Sequence, residues 1–262
     1  MNAAHPFSHS SHDYTELVAR WRDLGESVGC PALTLIEGDG RPVLYLERES
    51  KTQPAIYLSA GVHGDECAPV WALLQWAEAN RKWLQENPFL IFPCLNPHGL
   101  IENTRTDQNG RDLNRCFDDA DVPIISAWQR LVRNKVFSQC LNLHEDYDAR
   151  GIYLYEIAEE VGGGQQILAS CQHIIDCDRR AEIDGHPFID GLATHESGTL
   201  EQVIEEELGG GYPEAIFLAL HHSSACYTFE TPSELDISAR VSAHRAALDS
   251  AIHRSTTRNL AP

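Results

Sequence analysis

Apolar positions along the chain follow two rhythms that take turns, and this alternation predicts the fold class. Short, nearly continuous apolar runs at Ala55–Ala60, Phe89–Leu95 and Ser138–Leu143 have strand length and predict strands buried on both faces. Between them, apolar residues recur at helical spacing. Ala68–Trp83 places Val70, Leu73, Leu74 and Ala77 on one face, and Pro123–Phe137 carries its proline in the first turn. A helix fits Tyr14–Leu24, followed by short strands at Ala32–Glu37 and Pro42–Glu47 around a Gly38-Asp39-Gly40 hairpin turn. Further along, Ile152–Ile157, Ala215–Leu220 and Ala225–Phe229 read as strands. Gln165–Cys177, Thr199–Leu208 and Leu235–Arg254 read as helices, and Asn96–Asp121 as a long polar loop. Strands alternating with helices predict an α/β domain whose mostly parallel or mixed sheet is covered on both faces. No repeat and no Pro/Ser-rich linker divides the sequence. The expectation is a flexible, His- and Ser-rich tail over residues 1–12 and a single domain over residues 13–262.

Composition narrows the function classes. With 42% hydrophobic residues, a chain of 262 residues can bury a sizeable core. Its formal net charge of −19 repels phosphate backbones, so nucleic acid is not an expected partner. No run approaches the roughly 18 apolar residues that a membrane span requires, so no membrane partner is expected either. The eight cysteines are scattered without a CxxC pair, and the first dozen residues lack an apolar leader. Reduced thiols and a cytoplasmic location are therefore expected, without a structural zinc knuckle.

The candidate chemistry sits where the apolar strands end, which is where open α/β sheets bind ligands. The first strand ends in Gly61-Val62-His63-Gly64-Asp65-Glu66, the third runs into His144, and a later one into Glu230. His63 and Glu66 form an HxxE pair at the start of a helix, and His144 adds a third donor from a distant strand. Two imidazoles and one carboxylate suit one Zn²⁺ and leave a position open for water, which is the catalytic pattern rather than the structural one. Glu230 closes an apolar strand, where an unpartnered carboxylate is costly. Beside a zinc-activated water it has a task as general base. Arg105, Arg111 and Arg115 fall within eleven residues of an otherwise acidic protein. Such a cluster suits a substrate carboxylate or a developing oxyanion, or structural pairs with Asp107 and Asp112.

The ordered series HGDE, NPHG, NTR followed by NGRDLNRCF, LNLHED and TFETP resembles the zinc carboxypeptidase family, which includes carboxypeptidases A and B and bacterial murein-peptide amidases. The resemblance runs from about Ala55 to the end. It implies a three-layer α/β/α sandwich around a mixed, mainly parallel sheet of about eight strands, one zinc ion per chain, and hydrolysis of a C-terminal amide bond. On this resemblance His63, Glu66 and His144 hold the metal and Glu230 is the general base. Arg105 polarises the scissile carbonyl, and Asn114 and Arg115 bind the substrate's free carboxylate. The family's substrate-covering tyrosine has no clear motif here; Tyr212, after Gly209-Gly-Gly211, is the candidate. Asp112 is a candidate to orient a neighbouring arginine, and Asp146 to alter the pocket's preference. The related succinylglutamate desuccinylases and aspartoacylases share the zinc motifs and a DLNR element. They leave a zinc-dependent deacylase of N-acyl amino acids as the alternative. The substrate expected on either reading is a small peptide or acyl-amino acid bearing a free carboxylate. A zinc-binding module without turnover is the remaining class, and it would have no use for a general base.

Overall fold

The computed structural model describes residues 11–38, 40–195, 200 and 211–258. Eight strands form one mixed sheet: β1 (Leu33–Gly38), β2 (Arg41–Arg48), β3 (Ala55–Ala60), β4 (Phe89–Phe92), β5 (Phe137–Asp146), β6 (Tyr153–Ala158), β9 (Leu192–His195) and β10 (Ala225–Pro232). Their spatial order is β1-β2-β4-β3-β5-β10-β6-β9. The central run β4-β3-β5-β10 is parallel throughout, and β6 pairs parallel with β9. The β1–β2, β2–β4 and β10–β6 pairs are antiparallel. The three-layer, mainly parallel architecture implied by the resemblance is the one observed.

Alternation along each strand sorts residues between two cores, one on each face of the sheet. Ile56, Leu58, Leu141, Leu143, Tyr227 and Phe229 face one core, against α1 (Tyr14–Ser27), α2 (Cys67–Ala79), α6 (Gly163–Cys171) and α8 (Ile237–Arg258). Tyr57, Cys140 and Cys226 face the other, against α5 (Pro123–Val132) and α7 (Glu214–His221). By the same alternation Asn142, His144, Thr228 and Glu230 emerge on the second face. There His144, Thr228 and Glu230 line a cleft together with Ala215 and Ile216 of α7.

Several expectations need correction. Ala215–Leu220 is not a strand but the body of α7. A six-residue apolar run reads the same whether it is a buried strand or a buried helix. What decides here is a distant cap: the Asn114 Oδ1 accepts from the Glu214 N–H at 2.9 Å. The helix expected over Ala68–Trp83 breaks at Asn80, continuing as α3 (Arg81–Glu86). Phe137 opens β5 rather than closing the preceding helix, and the helix expected to reach Cys177 ends at Cys171. The polar loop contains a short helix, α4 (Pro97–Glu102), and a 3-10 turn at Leu113–Arg115. A small hairpin, β7 (Glu182–Ile183) with β8 (His186–Pro187), and strand β9 were not anticipated. The acidic helix expected at Thr199–Leu208 lies outside the described residues except for Leu200, and so does the tail before Ser11. Ser11 and His12 sit at the cleft's edge, with His12 Nδ1 2.6 Å from the Leu100 carbonyl.

Candidate metal centre and active-site cleft

Two glycines explain how the first motif is held. Gly61 has φ +64°, in the left-handed region, and turns the chain out of β3. A Cβ on Gly64 would lie 1.9 Å from the Gly99 carbonyl carbon, so the HGDE and NPHG segments touch backbone to backbone. Asn96 fastens the same corner. Its N–H donates to the Gly61 carbonyl at 2.7 Å, its Oδ1 caps α4 at Gly99 N, and its Nδ2 reaches the Arg105 carbonyl. The approach of these backbones fixes where His63, Glu66 and Arg105 begin.

His63, Glu66 and His144 are all buried, and one candidate donor atom from each lies within 4.8 Å of the others. His63 Nδ1 is 2.5 Å from Glu66 Oε1, and His144 Nδ1 is 3.1 Å from Glu66 Oε2. That Oε2 is a buried carboxylate oxygen outside hydrogen-bonding geometry, so the cluster has an acceptor that its own side chains leave unsatisfied. The other nitrogen of His63 is 3.1 Å from Asp112 Oδ1. A carboxylate on the outer nitrogen orients a metal-binding histidine and raises its basicity. Three converging donors, an orphaned oxygen and a supporting carboxylate fit a divalent metal of zinc's ligand preference.

Electrostatics agrees with this reading of the donors. Burial alone lowers the His63 pKa, but the Glu66 and Asp112 carboxylates more than offset it and lift the imidazole to about 9. Burial raises the Glu66 carboxyl, and the two histidines outweigh that, holding it well below the usual carboxylate range. These donors attract positive charge as a group.

Glu230 is aligned with His144 across the parallel β5–β10 pair, so both side chains rise from the same face on adjacent strands. Its Oε2 is buried with no hydrogen-bond partner. Burial, opposed by His144 and aided by the nearby Glu66 and Asp146, pushes its pKa up to about 8.

Asp112 also holds Arg105, accepting from its Nε at 3.0 Å. The expected orienting role of Asp112 is thus accompanied by a second contact, to His63. Asn114 and Arg115 line the same cleft, which has a volume of about 1080 Å³. The Arg115 guanidinium donates to the Asn114 carbonyl at 2.8 Å, and among the described residues no carboxylate lies within ion-pairing distance of it. Tyr212 is placed elsewhere. It packs against the core beneath α5 and α7, bridges to Cys116, and does not line the cleft. The tyrosines that do are Tyr147, Tyr153 and Tyr155.

Sequence reasoning placed the substrate pocket only coarsely, between about Tyr153 and Ser224, and named no residue of this distal wall. Tyr153 and Tyr155 pair with Glu230 and Thr228 across β6–β10, so they share the face of the general-base candidate. His186 and His195 complete the wall, their rings 5.6 and 6.3 Å from that of Tyr155. The aromatic alternation Tyr153-x-Tyr155 within a predicted strand was the available signal. Asp146 belongs to this end, accepting from the Tyr153 hydroxyl at 3.0 Å.

Residues 52–147 match the family profile of the succinylglutamate desuccinylase/aspartoacylase catalytic domain. Over 120 residues the chain is 32% identical to cytosolic carboxypeptidase 1 of Danio rerio, which covers 42% of this chain and 10% of that protein. The chain therefore spans about a tenth of the length of this curated relative. A metallopeptidase candidate from Shewanella denitrificans superposes with a TM-score of 0.82 at 21% identity, over 94% of this chain and 91% of the other. A metallo-carboxypeptidase from Burkholderia cenocepacia gives a TM-score of 0.67 at 16% identity, over 94% and 70%. The chain therefore shares the fold of these metallopeptidases, and the profile match takes in 96 of its 262 residues. The matched profile ends one residue after Asp146, so it takes in His63, Glu66, His144 and the arginine segment but not Glu230 or the distal wall. Among the described residues no helix is long and apolar enough to cross a membrane.

Proposed function

We propose that the protein is a zinc-dependent hydrolase that cleaves a C-terminal amide bond, as a carboxypeptidase or peptide amidase. The observation that carries this reading is the placement of a half-buried carboxylate, Glu230, whose Oε2 is buried without a hydrogen-bond partner, one strand away from three converging metal donors on the same face. His63, Glu66 and His144 would hold the zinc, which when bound would supply Lewis acidity toward the carbonyl and toward the attacking water. Glu230 accepts a proton from the attacking water at its free carboxylate oxygen and delivers it to the departing amine nitrogen. Arg105, steadied by Asp112, presents positive charge to the carbonyl oxygen as that atom becomes negative. Arg115 takes the substrate's terminal carboxylate, with Asn114 beside it, and so turns binding into orientation. The eight free cysteines support a reducing, cytoplasmic setting.

A second reading has its own observation: the profile matched by residues 52–147 is named for enzymes of the desuccinylase and aspartoacylase kind. On that reading the same residues hydrolyse an N-acyl amino acid. The test is zinc stoichiometry on purified protein, followed by assay on C-terminally free peptides, their amidated counterparts and N-acyl amino acids. One zinc with cleavage of free-carboxyl peptides alone is the expected result. Cleavage of acyl amino acids alone selects the second reading. Zinc without any turnover leaves a binding module, and a protein that takes up no zinc overturns all three.

A further inference from the structure

The helix that presents Glu66 lacks the cap it would ordinarily have. Glu66 stands at the N-cap position of α2, yet its side chain makes no capping hydrogen bond, because the carboxylate is turned into the metal cluster. The first N–H groups of a helix have no partner within it and must find one elsewhere. Here the Ala68 N–H, in the first turn of α2, donates at 2.9 Å to Oε2 of Glu145, on the neighbouring strand.

Glu145 follows His144 directly, so the alternation of β5 points it to the opposite face of the sheet, into the core beneath α2 and α8. Its other oxygen is equally committed. Arg240 Nη1, from α8, donates to Oε1 at 2.5 Å, and the Thr231 hydroxyl donates to it at 3.2 Å. Thr231 follows Glu230 and is the register partner of Glu145 across β5–β10. Because the Thr231 proton is spent on Glu145, the 3.0 Å contact between its oxygen and His244 Nε2 requires His244 to donate from that nitrogen. Arg240 is itself anchored, its Nε donating to the Leu235 carbonyl at 2.8 Å. One side chain therefore ties together the helix start that carries Glu66, the strand end that carries His144, and the strand end that carries Glu230.

We propose that Glu145 is a positioning residue for the metal centre: it caps α2 in place of Glu66, freeing the Glu66 carboxylate for the metal, and cross-links the three segments that bear Glu66, His144 and Glu230. The inference rests on the reading of His63, Glu66 and His144 as metal ligands. A side chain that only stabilised the fold would act on unfolding alone. A positioning residue acts on metal affinity even where stability is restored, and this difference supplies the test.

The experiment measures zinc affinity by competition with a chromogenic chelator and, separately, the thermal unfolding of metal-free protein. Glu145→Met removes the acceptor for Ala68 and should weaken zinc binding by about 10- to 100-fold, the range found for groups that orient metal ligands. Glu145→Gln keeps an oxygen for Ala68 and should recover most of that affinity. In Glu145→Met/Arg240→Met the buried ion pair becomes apolar packing, an exchange that commonly leaves stability intact. Its metal-free Tm should return toward the wild-type value while its zinc affinity stays weak. An affinity that recovers together with Tm, or one that Glu145→Met never lowers, overturns the proposal and leaves the metal site standing. A wild-type protein that binds no zinc overturns the metal reading and this inference with it. Should Glu145→Met fail to fold, the double variant and Thr231→Val, which removes one donor to Glu145 without changing shape, decide the matter by the same two readouts.

Discussion

The two ends of the cleft are built differently. At the metal end polar contacts hold the parts in place: His63 lies between Glu66 and Asp112, Arg105 donates to Asp112, and the start of α2 is tied to Glu145. The backbones there touch at Gly64 and Gly99, leaving no room for a side chain. At the distal end the wall is a set of aromatic and imidazole rings, Tyr153, Tyr155, His186 and His195, meeting edge to face or loosely stacked. The first end has the rigidity that chemistry needs, with charges aimed before the substrate arrives. The second can change its residues without disturbing the first. Substitutions at the metal end should therefore alter rate on every substrate, and those at the distal end should alter the choice among substrates.

The largest effect expected is at Glu230. Glu230→Gln removes the proposed proton acceptor and keeps the side chain's shape. It should lower kcat by about 10²- to 10⁴-fold on all substrates while one zinc stays bound. Near-normal turnover in that variant would remove Glu230 from the mechanism. Loss of zinc instead would make it part of the metal's support.

The pH dependence of metal binding is next in size. Without metal, His63 titrates at about 9, above the ordinary 6.5, so its protonated form stabilises the folded protein below about pH 6.5 and that stabilisation is lost as pH rises through 9. Glu230, raised to about 8 from 4.5, acts in the same direction: its neutral form suits the fold, and stability falls as pH climbs through 8. Metal-free protein should thus lose stability between about pH 5 and 9 on account of these groups. Zinc binding moves the other way, because a liganding imidazole must release its proton. Chelator competition should find zinc affinity rising on the order of a hundredfold from pH 6 to 8.5 for the His63 proton alone. A flat profile would mean that His63 is not a ligand.

Arg115 should give a smaller and more selective effect. Losing a charge-assisted contact costs roughly 1.5–3 kcal/mol, or about 10- to 100-fold. Arg115→Ala should therefore raise KM by that factor for substrates with a free carboxylate and leave amidated ones nearly unchanged. Equal losses on both would place the carboxylate elsewhere in the cleft.

How much of this was legible in the sequence follows the same division. His144 and Glu230 lie near the ends of β5 and β10, and His63 and Glu66 follow the end of β3, all behind unmistakable apolar runs, and strand ends are where an α/β sheet places its chemistry. Ala55–Ala60 was read to the residue. Asp112 was readable as a support because it sits within the arginine cluster. Glu145 was readable in principle, since strand alternation places a carboxylate after His144 on the buried face, and such a group needs partners. Its partners, Ala68, Thr231 and Arg240, come from three distant segments, and no local pattern announces them. The segment holding β7 to β9 has strands of only two to four residues, too short for periodicity to register. α7 was misread because its cap comes from Asn114, a hundred residues earlier. Tyr212 was singled out for its glycine-rich approach, but a mobile-looking sequence does not say which way a ring points. Phe117 N donates to the Tyr212 carbonyl and holds that stretch against the core.

The smallest expected effect tests the distal wall directly. Tyr155 is half-buried, faces the cleft beside Thr228, and meets the rings of Phe188, His186 and His195. An aromatic pair contributes about 0.5–1.5 kcal/mol beyond the area it buries, or roughly 2- to 12-fold in binding. Tyr155→Leu keeps an apolar wall but removes the ring face. It should shift the kcat/KM ratio between substrates ending in aromatic and in aliphatic residues by a factor within that range. The rate on a substrate too short to reach the wall should not change, because Tyr155 touches neither the ligands nor Arg115. If instead the rate on that short substrate falls as far as on the long ones, the two ends of the cleft are coupled. The ring contacts of β6 would then be transmitted through the Tyr153–Asp146 hydrogen bond to β5, the strand that carries His144.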